Sequence, residues 1–192
     1  MKSKTVSLIA VSLGILLMIL SAVMLTVRQI QKAKADVDIA AVVARMEKAM
    51  PGRSAGIIEK RSDIGMPSIE IDGTDFIGLL ELPGRNTVLP VGAKWDAAGL
   101  GFRPARYLGS IYDGTLIIGG RYESGGFDFA DKLEIGEEIT FTDMTGRLFR
   151  YTVNRIRHSD NAKTETLKSG DYDLTLFVKK DSRFLIIGCK AA

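Results

Sequence analysis

Very few side chains in this 192-residue chain can take part in covalent chemistry. The chain contains one cysteine, Cys189, and one histidine, His158. A single cysteine excludes an intramolecular disulfide and a cysteine-based metal site, and a single histidine excludes a histidine-rich metal site. Nucleophilic catalysis by a cysteine and a histidine would have to use these two residues. The sequence also predicts no metal and no cofactor.

A second set of polar side chains lies in the stretch DLTLFVKKDSRFLII, residues 173–187. Two apolar arms flank a short polar segment, which predicts a β-hairpin. Lys179, Lys180 and Arg183 lie at the turn, and we expect them to form a basic mouth for an anionic group. Lys179 could act as a nucleophile only if its pKa were depressed, and its attack on a peptide carbonyl would end in a stable amide. Turnover by this lysine is therefore not expected.

The N-terminal segment has the pattern of a membrane anchor. Residues 5–27, TVSLIAVSLGILLMILSAVMLTV, contain no charged side chain. A helix of this length, rising about 1.5 Å per residue, spans the roughly 30 Å apolar layer of a bilayer. A cleaved signal peptide is the alternative, but its apolar region covers only about 7–15 residues. We therefore assign residues 1–35 to a short tip and a transmembrane helix, whose orientation the nearly balanced flanking charges leave open.

The segment after the anchor, residues 36–73, predicts an amphipathic helix and a linker. Ile39, Val42, Val43, Met46 and Met50 recur at helical spacings, so this stripe is expected to pack on the domain that follows. An irregular linker is expected over residues 53–67. The net charge of +3 is small and acidic residues interleave with the basic ones, which argues against a nucleic-acid partner.

The remainder, residues 74–192, predicts a mainly β domain. Short apolar or alternating runs separated by Gly, Pro and Asn turns are typical of strands. The predicted strands cover residues 75–82, 86–91, 114–122, 137–143, 147–153, 173–178 and 183–187. A helical turn is expected within residues 161–170. Seven or eight short strands with few helices favour a closed or nearly closed β-barrel.

The order of these segments resembles the sortase family, the membrane-anchored cysteine transpeptidases of Gram-positive surfaces. The resemblance covers most of residues 76–189. FIGLLELPGRNTVLPV resembles the opening strands of the family, and LIIGGRY resembles the strand that ends in Gly-His. FDFADKLEIGEEITFTDMTGRLFRYTV resembles its short helix and following hairpin. LTLFVK resembles the Thr-Leu-x-Thr-Cys motif, and RFLII resembles the strand that carries the catalytic arginine.

This resemblance implies that most of the family's catalytic groups are missing. The family uses a cysteine nucleophile, a histidine for proton transfer and an arginine that holds the substrate. The cysteine position falls on Lys179 and the histidine position on Gly120, whereas the arginine corresponds to Arg183. Further residues expected to border the substrate groove are Arg121, Thr175, Leu176 and Val178. Restoring Lys179→Cys alone should give little transpeptidation, and adding Gly120→His is expected to recover some.

Three functions follow from these observations. The favoured one is a catalytically degenerate sortase that binds a sorting signal, a pilin or an active sortase in surface-protein or pilus anchoring. An active transpeptidase that uses Cys189 and His158, or Lys179, is an alternative. A structural envelope module is the third. The resemblance also implies a cytoplasmic N-terminus and an extracytoplasmic C-terminal domain.

Overall fold

The apolar runs of the sequence form a single β-sheet that closes on itself. The computed structural model describes residues 2–52, 54–55, 65–95, 103–123 and 126–192. The elements in this part are α1 (Lys2–Ala49), β1 (Ser54–Ala55), β2 (Ile69–Ile71), β3 (Thr74–Leu82), β4 (Thr87–Gly92), β5 (Ala105–Leu108), β6 (Leu116–Arg121), β7 (Glu138–Asp143), β8 (Arg147–Ser159), α2 (Thr164–Leu167), β9 (Leu174–Lys180) and β10 (Arg183–Ala191). Short 3₁₀ turns lie at Pro83–Arg85 and Ala130–Lys132.

Eight of the strands close into a barrel. The order of neighbours is β3–β4–β5–β6–β9–β10–β8–β7, and β7 pairs with β3 to complete the circle. The β4–β5 and β6–β9 pairs are parallel, and the other pairs in the circle are antiparallel. β1 and β2 add to the outside of this circle, on β8 and β3 respectively. The prediction of seven or eight strands in a barrel is therefore confirmed.

The barrel interior is filled by side chains that alternate along the strands. Fully buried members include Leu80, Phe141, Tyr151, Leu176 and Ile187. Their spacing follows from the strand period of two, which sends every second side chain inward. The interior is therefore a packed apolar core and not a channel.

The C-terminal part of α1 packs on the outer face of the barrel. Val42 and Met46 lie in one buried cluster with Phe76 and Leu79 of β3. The apolar stripe read from the sequence thus packs on the following domain, as predicted. α1 runs without a break through the predicted boundary after residue 35. It ends before Pro51, which lacks the backbone donor that a further helical turn needs.

The predicted linker and the predicted transmembrane helix are the two remaining predictions for the N-terminal part of the chain. The predicted linker, residues 53–67, lies for the most part outside the described residues. Across the ranges that are described, no helix has both the length and the hydropathy needed to cross a membrane.

Candidate functional site

Strand alternation divides the side chains of the β9–β10 hairpin between two faces. Leu176 and Val178 belong to the interior core and are inaccessible to solvent. Phe177, between them, belongs to a separate cluster on the outside of the barrel. The prediction that Leu176 and Val178 border a substrate groove is therefore wrong, because both side chains fill the barrel. Lys179 follows Phe177 by two residues and is exposed on the same outer face.

Gly120 lies in β6, directly beside Val178 of β9. A Cβ atom placed on Gly120 would meet ring atoms of Phe127 at 2.6, 2.7 and 3.0 Å. Phe127 is fully buried in the interior core. The Cβ position of residue 120 thus faces the barrel interior, whereas Lys179 faces outward. Phe127 was not identified from the sequence, because nothing in its local pattern reveals which strand its ring covers.

Lys179 and Arg121 form a pair of adjacent cations on the outer face. The parallel register of β6 and β9 places them opposite each other, and both side chains are exposed. Lys179 also pairs with Phe184 of β10, and its Nζ atom lies 6.0 Å from the centre of that ring. We call Arg121 and Lys179 the cation pair. Arg121, predicted from the sequence to border a substrate groove, thus lies beside Lys179 on the outer face.

Lys180 and Arg183 do not join the cation pair. Lys180 Nζ lies 2.6 Å from Asp131 Oδ2 and 4.6 Å from the ring centre of Tyr122. The hydrogen bond to Asp131 raises the pKa of Lys180 and lowers the pKa of Asp131. Alternation places Arg183 on the face opposite Phe184, and its Nε atom lies 3.2 Å from Asp160 Oδ1. Two members of the predicted three-residue basic mouth, Lys180 and Arg183, thus have carboxylate partners of their own.

Three aromatic rings form a floor beside the cation pair. Trp95 and Tyr107 contact Phe177, with ring centres 5.6 and 5.3 Å apart. Gly119 permits this arrangement, because a Cβ atom there would meet Phe177 at 2.6 Å and Trp95 at 2.8 Å. We call Trp95, Tyr107 and Phe177 the aromatic floor. Trp95 and Tyr107 are half-buried and line a depression of about 480 Å³.

The aromatic floor was not predicted from the sequence, although two signals were available. Trp95 is the only tryptophan in the chain. Phe177 precedes Lys179 by two residues in the LTLFVK segment, so the two side chains lie on the same face of the strand. What the sequence did not reveal is that Trp95 lies against β9, because that contact joins distant segments.

Thr175 lies on the outer face at the other end of β9. It is 4% exposed and pairs with Ile117 of β6. Together with Asp113, Tyr172 and Asp173 it lines a separate depression of about 370 Å³. Four residues of extended strand, about 13 Å, separate Thr175 from Lys179. The structure therefore does not bring Thr175 to the cation pair.

The only thiol and the only imidazole lie away from Lys179. Cys189 is completely buried and pairs with Leu174, at the far end of the hairpin, as the strand length predicts. Burial raises the pKa of the Cys189 thiol to about 12. His158 is exposed on β8 and pairs with Leu185 of β10. Two strand spacings, about 10 Å, separate β8 from β9, so His158 and Lys179 are not hydrogen-bonded neighbours.

We expect Cys189 to resist alkylation by iodoacetamide at pH 8 in the folded protein and to react after unfolding in guanidinium. Because its folded pKa is raised from an ordinary value of 9.0 to about 12, its contribution to stability is complete below pH 9.0 and is lost as the pH rises through about 12. Between pH 9.0 and about 12, the unfolding midpoint of Cys189→Ala should fall less steeply with pH than that of the unaltered protein. Equal labelling rates in the folded and unfolded protein would contradict the assignment.

The described residues hold no group of three or more His, Cys, Asp or Glu side chains that could bind a metal ion. The site therefore consists of the cation pair, the aromatic floor and the ring of Phe184. These groups offer two cationic donors beside an apolar surface. They can bind an anionic group that is joined to an apolar one.

The barrel as a whole is similar to solved sortase structures. Sortase C from Clostridium perfringens SM101 superimposes with a TM-score of 0.51 at 21% identity, covering 62% of this chain and 70% of that chain. The chain has a sortase-like fold. Sortase C1 from Streptococcus agalactiae has a TM-score of 0.52 at 22% identity, with 64% of this chain and 70% of that chain covered. A Clostridium perfringens sortase D5 transpeptidase matches at 0.52 and 19% identity, over 62% and 79% of the two chains.

The likeness to sortases lies in the three-dimensional structure. No protein-family model and no curated protein sequence matches the chain. At identities near 20% the comparison establishes the sortase fold and carries no statement about activity. The chemistry of this chain has to be argued from its own side chains.

Proposed function

We propose that this protein is a sortase-fold peptide-binding protein that has no cysteine transpeptidase activity. It acts as an accessory factor in the anchoring of surface proteins or pili at the Gram-positive cell surface. Its ligand is a sorting signal or a related peptide segment of such a protein. One observation carries the proposal: Lys179, which the sequence resemblance places at the nucleophile position, lies near the end of β9, and the chain's only thiol is buried at the opposite end of the same hairpin.

The chemistry available at the strand end supports the absence of turnover. A thiolate nucleophile would require Cys189 to ionise and reach the outer face, but burial keeps it protonated and the barrel encloses it. Proton transfer from position 120 would require a titratable side chain, and Gly120 has none. An amide formed on Lys179 would not be released. The two-step acyl-transfer reaction thus lacks its nucleophile and its proton-transfer group.

The surface around Lys179 supports a binding role. The aromatic floor offers half-buried rings, and aromatic side chains supply much of the binding energy in protein interfaces. The cation pair at its edge adds hydrogen-bond donors and a positive field. An extended peptide that runs along β9 can place apolar side chains on the rings. Such a surface can bind a peptide without cutting it.

The proposed location rests on the N-terminal sequence. Residues 5–27 carry no charge, and the helix that contains them continues into the segment that packs on the barrel. We propose that this helix holds the barrel at the extracytoplasmic side of the cell membrane. The packing of Val42 and Met46 on β3 would then keep the barrel close to the membrane surface.

The functional proposal is tested with the full chain in a mild detergent, incubated with sorting-signal peptides and a soluble amine acceptor. We expect saturable changes in the fluorescence of Trp95 and no cleaved or transferred product by mass spectrometry. Tyr107→Ala should weaken binding about tenfold or more, since a ring contact at an interface is worth about 1–3 kcal/mol. Ile135→Ala is the matched control, because Ile135 is an apolar side chain that is 71% exposed.

Two outcomes would contradict the functional proposal. Product formation that disappears in Cys189→Ala or Lys179→Ala would show an active transpeptidase with rearranged residues. A Trp95 signal that no peptide changes would instead favour a structural envelope module.

The proposed location predicts that the full chain remains in the membrane pellet after alkaline carbonate extraction of expressing cells. Deletion of residues 5–27 should move the protein to the supernatant, because it removes the uncharged segment. Protease treatment of intact protoplasts should digest the barrel if it is extracytoplasmic. Recovery of the full chain in the supernatant would overturn the proposed anchor.

A further inference from the structure

A second depression lies at the end of β9 that is remote from Lys179. Its volume is about 370 Å³, within the roughly 300–1,000 Å³ that sites for small ligands occupy. Its lining comes from the turn before β6, the segment that follows α2 and the first residues of β9. None of the described residues lines both this depression and the one beside Trp95 and Tyr107. We call it the polar depression.

Thr175 brings a nearly buried hydroxyl group to the polar depression. The residue is 4% exposed and belongs to the lining. Within the described part of the chain, the Thr175 hydroxyl has no hydrogen-bond partner. A hydroxyl that is taken out of water without a hydrogen bond raises the free energy of the folded state. A ligand that forms this hydrogen bond from within the depression would recover that free energy.

Two half-buried carboxylates of the lining are each fixed through one oxygen. Asp113 Oδ1 accepts a hydrogen bond from Thr115 N at 3.0 Å. Asp173 Oδ2 accepts a hydrogen bond from Ala191 N at 2.9 Å. These bonds orient both side chains before a ligand arrives. The other oxygen of each carboxylate remains as an acceptor for a ligand in the polar depression.

Tyr172 adds an aromatic ring that two glycines hold in place. A Cβ atom on Gly188 would meet three carbons of this ring at 2.6, 2.6 and 2.7 Å, so the ring lies flat over Gly188. A Cβ atom on Gly170 would also collide with the ring. Tyr172 is half-buried and, with Ile117, gives the polar depression an apolar part. A ring fixed in this way loses little conformational entropy when a ligand binds.

These groups suit a ligand with several hydroxyl groups and an apolar face. The carboxylates of Asp113 and Asp173 only accept hydrogen bonds, whereas the Thr175 hydroxyl both donates and accepts. A sugar ring carries hydroxyl groups that can donate to the carboxylates and exchange hydrogen bonds with Thr175. It also carries C–H groups that can pack on the Tyr172 ring. A saccharide therefore matches both parts of the lining.

A cation matches this lining less well. The third aspartate of the lining, Asp171, is paired with Lys190 through a Nζ–Oδ2 distance of 2.8 Å. Nowhere in the described ranges do three or more His, Cys, Asp or Glu side chains form a group that could hold a metal ion. Lys168 is exposed and also lines the depression, so a cationic ligand would meet a like charge there. A neutral ligand avoids this repulsion.

We propose that the polar depression binds one ring of a neutral saccharide, with Asp113, Asp173 and Thr175 bonded to its hydroxyl groups. The site lies apart from the aromatic floor, so this inference does not depend on the proposed peptide binding. It gives the barrel a second ligand of a different chemical class. A peptide and a saccharide could then be held at opposite ends of β9.

The test titrates the full chain with three neutral trisaccharides, chitotriose, maltotriose and cellotriose. The protein is kept in a detergent without a sugar head group, because such a head group would compete for the site. Calorimetry and saturation-transfer NMR measure the binding. We expect at least one trisaccharide to bind saturably with a Kd of about 1 mM or lower.

Side-chain variants locate the saccharide. Thr175→Val keeps the shape of the side chain and removes its hydroxyl, and it should weaken binding about two- to tenfold, the effect of one neutral hydrogen bond. Asp113→Asn should also weaken binding, because it removes the charge and one acceptor. Thr140→Val is the matched control, since Thr140 is a strand threonine that is 3% exposed and lies outside the polar depression. This variant and Tyr107→Ala should leave the trisaccharide affinity unchanged.

Four outcomes would overturn the inference. The first is that none of the three trisaccharides binds saturably. The second is an equal affinity in Thr175→Val and in the unaltered protein. The third is loss of trisaccharide binding in Tyr107→Ala, which would place the sugar on the aromatic floor. The fourth is binding of lysine amide at lower concentrations than any trisaccharide, which would assign the polar depression to a cationic ligand. Peptide binding is measured separately through Trp95, so these outcomes and a failure of the functional proposal remain distinguishable.

Discussion

Replacing Asp143 with alanine is expected to lower the free energy of unfolding by about 3–5 kcal/mol, because a buried donor that loses its acceptor costs about 1–3 kcal/mol. Asp143 ends β7 and is completely buried. Its Oδ2 atom accepts a hydrogen bond from the Tyr112 hydroxyl at 2.8 Å. Its Oδ1 atom accepts from Thr145 N at 2.8 Å, Thr145 Oγ1 at 2.7 Å and Arg147 N at 2.9 Å. One carboxylate thus fixes the β7–β8 turn and joins it to Tyr112.

Two milder variants separate the parts of this network. Asp143→Asn keeps one acceptor oxygen and should cost less than Asp143→Ala. Tyr112→Phe removes one partner and should cost about 1–2 kcal/mol. Burial and the hydrogen bond to Asp143 both raise the pKa of Tyr112, so its hydroxyl remains a donor at neutral pH. Guanidinium unfolding followed by Trp95 fluorescence and circular dichroism measures these differences.

A loss below about 1 kcal/mol in Asp143→Ala would contradict the structural role of the carboxylate, since even a single unsatisfied buried donor costs that much. The turn also contacts the segment that follows α1. Ser54 N donates to Gly146 O at 2.8 Å, and a Cβ atom on Gly146 would meet Pro51 O at 2.6 Å. Disorder of this turn is therefore expected to loosen β1 as well.

Replacing Gly120 with histidine is expected to destabilise the barrel by about 1–3 kcal/mol and to leave a Lys179→Cys variant without transpeptidase activity. The imidazole would enter the interior, where Phe127 occupies the space, and Phe127 packs edge-on to Phe129 with ring centres 5.4 Å apart. A thiol at residue 179 would lie on the other face of the sheet. The expectation from sequence that the double variant recovers some activity is therefore revised.

The stability part of this prediction has a graded control series. Gly120→Ala adds only the Cβ atom and should already destabilise, because ring atoms of Phe127 lie within 3.0 Å of that position. Gly84→Ala is the matched control, since a Cβ atom there has no neighbour within 4 Å, and it should change stability by no more than about 0.5 kcal/mol. Robust acyl transfer by the Lys179→Cys, Gly120→His protein would refute the assignment of faces.

Close contacts also hold the ends of β6 and β9 in place. Gly120 accommodates Phe127, and Lys180 joins Asp131 and Tyr122. Arg121 and Lys179 lie on the outer face of these two strands, next to the aromatic floor.

The sequence by itself determined the fold class and the presence of Lys179 near the turn of the last hairpin. Strand periodicity and apolar runs are local properties, so the strand count, the helical turn at residues 164–167 and the docking stripe of α1 could be predicted. That residue 179 is a lysine is read directly from the sequence. The far position of Cys189 also followed from the sequence, because a hairpin register depends only on strand length and turn.

The tertiary structure alone decided which side chains form the site. A strand sends successive residues to opposite faces, so Leu176 and Val178 fill the interior while Lys179 lies outside. The pairing of Arg121 with Lys179 depends on the parallel contact of β6 and β9, which are distant in sequence. The contact of Trp95 with Phe177 also joins distant segments. Such pairings arise when the barrel closes, and no local pattern of residues specifies them.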